Sequence, residues 1–150
     1  MAASPELIVA GNLSVAALVG LAVGFERERT GHVDGPDARF AGVRTFFMLG
    51  LLGGIGGHLL AEGNELVAVV LLGTGGLMSV VAYALAVRRP AASADGTTET
   101  AALLVIALAA MAGMGHRAIA AGVGTVVVAA LVGKTRIRSV LERQGILSRA

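Results

Sequence analysis

Five apolar runs, about Leu7–Phe25, Val43–Ala61, Leu66–Val87, Thr98–Met114 and Ala118–Val132, fill most of this 150-residue chain. Runs of this length leave few folds open. Roughly 20 apolar helical residues cross the ~30 Å hydrocarbon core of a bilayer, where every backbone N–H and C=O must find its partner within the protein. The first three runs meet that length. The last two are shorter and are parted only by Gly115-His116-Arg117. A single helix from Thr98 to Val132 would hold Arg117 near mid-membrane, a costly place for a guanidinium, so a tight helical hairpin is expected. The expected fold is all-α, a polytopic membrane bundle of five transmembrane helices.

Composition points the same way. Mean hydropathy is +0.80, and charged residues make up 15% of the chain against about 25% in an ordinary soluble domain. Charge placement then gives orientation. Arg27, Arg29, Arg39, Arg44, Arg88, Arg89, Lys134, Arg136, Arg138, Arg143 and Arg149 all fall on one face of a five-span arrangement, leaving only Arg117 on the other. By the positive-inside rule that face is cytoplasmic, with the N-terminus outside and the C-terminus inside. Four spans would split the basic segments across both faces. Residues 1–133 therefore read as the transmembrane domain and 134–150 as a basic cytoplasmic tail. The tail is either a solvated stop or an amphipathic helix on the anionic inner leaflet, with Ile137, Val140, Leu141 and Leu147 between its basic residues.

Several functional classes fall away. The chain has no cysteine, which excludes disulfides, thiol catalysis and cysteine-ligated zinc. His32, His58 and His116 lack metal-ligand spacing. The sequence pI of about 9.9 arises from loops beside apolar runs rather than from a nucleic-acid groove, so no nucleic-acid partner is expected. No basic stretch precedes the first run, so a retained span is expected rather than a cleaved leader. No HExxH, GxSxG or other catalytic constellation occurs, so neither an enzyme nor an organic cofactor is expected.

Glycine, 22 residues in all, is about twice as frequent as the ordinary 7%. Small residues let helix backbones approach closely in lipid, where little hydrophobic drive separates one helix from another. Gly20 and Gly24 form a GxxxG pair. Gly50, Gly53, Gly54 and Gly57 share one helical face, which is free to pack within the chain or against a second copy, a dimer being the expected oligomer. Gly73, with Gly75 and Gly76, interrupts the third run and is read as a packing position or a place where that helix bends.

The remaining polar residues collect at span ends. Glu26-Arg27-Glu28-Arg29 closes the first run, Arg44-Thr45 opens the second, and Asp95-Gly96-Thr97-Thr98-Glu99 heads the fourth. In one reading Arg44 forms an ion pair with Glu26 or Glu28 that staples two helices, while Arg27 and Arg29 anchor topology. In the other, Glu26, Asp95, Thr97, Thr98 and Glu99 line a cation site or pathway, with Glu26 and Glu99 as its metal-binding carboxylates. Hard oxygen ligands of this kind suit Mg2+ that keeps several of its waters, as ligand or as substrate. Asp95 also fits a helix N-cap.

At these clusters the chain resembles the MgtC/SapB family of bacterial inner-membrane proteins. The resemblance is carried by Gly20-Leu21-Ala22-Val23-Gly24-Phe25-Glu26-Arg27-Glu28, similar to the family's GxxxGxERE. It continues in Ala41-Gly42-Val43-Arg44-Thr45, similar to GLRT, and in Asp95-Gly96-Thr97-Thr98-Glu99-Thr100-Ala101-Ala102, similar to GLTTxxA. It runs from about Leu7 to Val132 and is closer to the branch that carries a domain of unknown function. The family's DPxRI stretch is replaced here by Glu62-Gly63-Asn64-Glu65, and the soluble C-terminal domain of virulence-associated members has no counterpart. What the resemblance implies is a multi-pass protein of the bacterial inner membrane linked to magnesium homeostasis. It would be a cation transporter, channel or sensor or, alternatively, a non-transporting module that binds a partner membrane complex.

Overall fold

A computed structural model describes residues 4–30, 42–88 and 97–143. Five helices follow one another: α1 (Pro5–Thr30), α2 (Val43–Ala61), α3 (Glu65–Val87), α4 (Thr97–Gly113) and α5 (Arg117–Arg143). α1, α2 and α3 are long and apolar enough to cross a bilayer, and α4 and the part of α5 up to Gly133 are shorter apolar helices. All five expected runs are helical, and two extend further than their apolar stretch. α1 carries on through Glu26-Arg27-Glu28-Arg29, and α5 continues past Val132 to Arg143 without a break. The segment 134–143 is thus an extension of α5 rather than a separate surface helix.

The two short turns between helices share one physical solution. Gly63 (φ 81) and Gly115 (φ 96) take the left-handed conformation that glycine adopts without a Cβ penalty. The N–H groups of Gly63 and Asn64 bond back to the carbonyls of Leu60 and Leu59, and those of Gly115 and His116 to Ala112 and Met111. Each turn is a Schellman cap that satisfies carbonyls left over at a helix end. The second cap parts α4 from α5 and sets Arg117 at a helix start.

α1, α2 and α4 pack against one another. α3 lies on α2 and α4, α5 lies on α1 and α4, and α3 and α5 make no close backbone approach to each other among the described residues. Backbone closeness at glycine builds the central triad. A Cβ added at Gly20 would collide with the Phe46 carbonyl, and one at Gly50 would lie 2.6 Å from the Ala16 carbonyl oxygen, which fixes α1 to α2. Gly24 packs on Val43 and Phe46 in the same seam. Gly53 meets the Ile106 carbonyl, Gly57 the Ala110 carbonyl, and Gly113 of α4 the Gly54 carbonyl. The four-glycine face of α2 is therefore divided between two neighbours in the same chain. Around it, Val23, Phe46, Leu49, Ala101, Ala102, Val105 and Ile106 form the larger core cluster.

Gly73 is different. Nothing lies within 4 Å of a Cβ placed there, so among the described residues it packs against no neighbour. Nor does α3 unwind at Gly73, Gly75 and Gly76: it is one helix from Glu65 to Val87. The hydroxyls of Thr74 and Ser79 donate to the carbonyls of Val70 and Gly75, four residues back, and the helical ladder stays whole around them. Large apolar side chains of α3, including Leu66, Val69, Leu77 and Val80, face outward. In water such a surface would be a liability; in lipid it is the expected exterior.

Candidate functional site

The helix ends that carry the charge clusters meet at one end of the bundle. The buried stripe of α1 runs Ala16, Val19, Gly20 and Val23. The next positions on that stripe are Glu26 and Arg27, three and four residues past Val23, so the helix turns both inward. Glu26 is only 8% exposed. Arg27 Nη2 donates to Thr97 Oγ1 at 3.0 Å and to Thr98 Oγ1 at 2.9 Å, tying the end of α1 to the first turn of α4. Thr98 is itself 6% exposed. Arg27, read from sequence as a topology anchor, is a structural cross-link, and its place four residues after Val23 is the signal that could have revealed it.

The charges at the head of α2 are arranged differently from the expected ion pair. The N-cap of α2 is Gly42, which has no side chain to cap with. Glu28 supplies the missing acceptor, its Oε2 taking the Val43 N–H at 3.0 Å. A carboxylate there also lies favourably against the positive end of the helix dipole. Arg44 is exposed and, among the described residues, pairs with neither Glu26 nor Glu28. An exposed guanidinium at a span end keeps its hydration, which a partly buried pair would forfeit.

The proposed cation ligands are not drawn into one cluster. Asp95 lies outside the described residues. Thr97 and Thr98 accept from the Arg27 guanidinium, whose positive charge opposes a metal ion at the same oxygens. Among the described residues no group of three His, Cys, Asp or Glu side chains is placed to hold a metal. Glu99 lies in the first turn of α4, one residue past Thr98. It lines a cavity of about 560 Å³ bounded by α3, α4 and α5, of which Glu26 and Thr98 are not part. Its Oε2 is buried there with no hydrogen-bond partner among the described residues. Tyr83 of α3 borders the same cavity and was not singled out in the sequence, because one tyrosine near a span end looks like an ordinary interfacial anchor. At the other end of the bundle Asn12 is 6% exposed, and its Oδ1 likewise has no partner among the described residues.

A bundle of long apolar helices, lipid-like on its outside and joined through glycine inside, defines a helical membrane protein. At one end its charges are tied across three helices. The chain belongs to the MgtC family, which matches residues 13–140 and so reaches from within α1 to near the end of α5. No curated protein and no solved structure matches it.

Proposed function

We propose that the protein serves magnesium homeostasis, the association of its family, as a non-conducting regulatory or sensory membrane protein rather than as an Mg2+ conduit. The observation behind this is the closed centre of the bundle. α1, α2 and α4 meet backbone to backbone at Gly20, Gly50, Gly53, Gly57 and Gly113, which leaves no room along their common axis for an ion and its waters. The Arg27 guanidinium adds a positive charge where a cation route would enter α4. In this reading five helices span the bacterial inner membrane with the N-terminus outside. The chain acts without catalysing a reaction, and partners dock on the outward faces of α3 and α5. A dimer would use those same faces, since the glycine faces are occupied within the chain.

A transport reading has one observation in its favour, the unpartnered Glu99 oxygen. Proteoliposomes loaded with an Mg2+-sensitive dye separate the two. The regulatory reading expects Mg2+ entry no faster than in empty liposomes, with loss of the gene still impairing bacterial growth at low Mg2+. Protein-dependent entry that Glu99→Gln abolishes would establish transport instead.

A further inference from the structure

We propose that the cleft between α3 and α5 is a binding site for a phospholipid with a primary-amine headgroup, and that Glu99 is its amine-recognising residue. The cleft exists because α3 and α5 both pack on α4 yet make no close backbone approach to each other among the described residues. Its floor is therefore α4, and its open side faces outward between two helices, toward lipid. Its lining is graded. Tyr83, Thr97 and Glu99 lie at the end where α3 stops and α4 starts, level with Leu131 of α5. Val80, Leu104 and Val127 lie deeper. At 1.5 Å per residue, the step from Glu99 to Leu104 is about 7.5 Å and that from Leu131 to Val127 about 6 Å. Apart from Ser79, whose hydroxyl is already bonded to the Gly75 carbonyl, polarity thus falls with depth over less than 10 Å, as it does along a phospholipid from headgroup to acyl chain.

The charge at the polar end selects the headgroup. Glu99 lines this end of the cleft, and no described residue hydrogen-bonds its carboxylate; Oε2 is itself packed away from solvent, so the oxygen a ligand meets first is Oε1. A buried acceptor of this kind is costly until a donor reaches it. A bare or hydrated Mg2+ fits poorly, because it needs a near-octahedral set of oxygens. Apart from Glu99 the walls are mostly hydrocarbon: the Thr97 hydroxyl accepts from Arg27, the Ser79 hydroxyl donates to the Gly75 carbonyl, and beyond these only Tyr83 and Thr100 carry side-chain oxygens, short of an octahedral set. A protonated primary amine brings one positive charge and N–H donors on a single atom, and its acyl chain covers Val80, Leu104 and Val127. A quaternary amine has the charge without the donors. This separates recognition by hydrogen bonding from attraction by charge alone.

The full chain, delipidated in mild detergent, is offered phosphatidylethanolamine, phosphatidylcholine or phosphatidylglycerol, and retained lipid is counted by native mass spectrometry. Phosphatidylethanolamine should bind on the order of tenfold more tightly than phosphatidylcholine, the scale of one charge-assisted hydrogen bond. Glu99→Gln should reduce that preference to near unity. Ala130→Trp, which adds bulk to the cleft wall and leaves residue 99 unchanged, should lower binding of all three lipids. Equal retention of the three lipids by the wild type overturns the proposal, as does a preference that survives Glu99→Gln. Unchanged binding in Ala130→Trp overturns it even where Glu99→Gln fails to fold. A thermal shift produced by Mg2+ alone and lost in Glu99→Gln also overturns it, by assigning the carboxylate to a metal. None of these outcomes depends on whether the protein conducts Mg2+.

Discussion

At the scale of single residues, the charge cluster closing α1 divides its labour between cross-linking and capping. Arg27 reaches two threonine hydroxyls of α4 from a partly buried position, and hydrogen bonds to charged groups contribute about 1.5–3 kcal/mol each. Arg27→Ala is expected to lower unfolding free energy in detergent by about that amount or more. In a double-mutant cycle with Thr98→Val, a coupling of about 1 kcal/mol should appear, and additive effects would mean that the cross-link contributes nothing. One position further, Glu28 acts as a cap in trans for α2. Glu28→Ala should cost about 1 kcal/mol, in the range of lost helix caps, whereas Arg44→Ala should change stability by less than about 0.5 kcal/mol. Equal effects at the two positions would restore the Glu–Arg staple that the sequence suggested. Sequence reading located these residues but misassigned their partners. Which of four adjacent charges points inward depends on the phase of the helix, and α1 keeps its phase through residues that look like a loop. That Gly42 leaves α2 uncapped, and so claims Glu28, is a tertiary fact with no local signature.

At the scale of elements, helix positions were largely legible and glycine roles only partly so. Apolar run length fixed where helices lie, and α2 falls at the expected Val43–Ala61. The Gly115-His116-Arg117 break was readable because an arginine in mid-membrane is so unfavourable. Glycine spacing revealed a close-packing face on α2 but not which helices it meets, since i, i+3, i+4 spacing says nothing about the neighbour. On α3 Gly73 meets no neighbour among the described residues, and the helix continues without a break through it. The two glycines therefore predict opposite outcomes for the same substitution. Gly57→Ala forces a Cβ into the Ala110 backbone, which has little freedom to move, and should destabilise by about 1–3 kcal/mol. Gly73→Ala meets open space and replaces a poor helix former, so it should stabilise by about 0.5–1 kcal/mol. Thermal unfolding of the two variants side by side checks both signs. Similar destabilisation at both positions would show that α3 uses Gly73 against a neighbour outside the chain.

At the scale of the whole molecule, the fold makes orientation a consequence of helix count. The end of α1 and the start of α4 are tied by Arg27, so the two helices between them, α2 and α3, carry the chain to the far end of the bundle and back. Five crossings put both Schellman turns, at Gly63 and Gly115, on the face opposite Arg27, Arg44 and Arg88. In the proposed five-span arrangement the positive-inside rule makes these turns external. The absence of native cysteine makes this directly measurable, because any single introduced cysteine is the only thiol. Ser4→Cys, Asn64→Cys and His116→Cys should react in intact cells with a membrane-impermeant maleimide. Arg88→Cys should react only after permeabilisation. If α4 and α5 lay together in the membrane as one re-entrant element, His116→Cys would be shielded while Asn64→Cys still reacted. Labelling of Arg88→Cys from outside would invert the whole arrangement, moving the Arg27 cross-link and the Glu99 cleft to the outer leaflet. The cleft's preference for an amine headgroup would then be exercised on the lipids of the other monolayer, so the labelling pattern fixes which leaflet supplies its ligand.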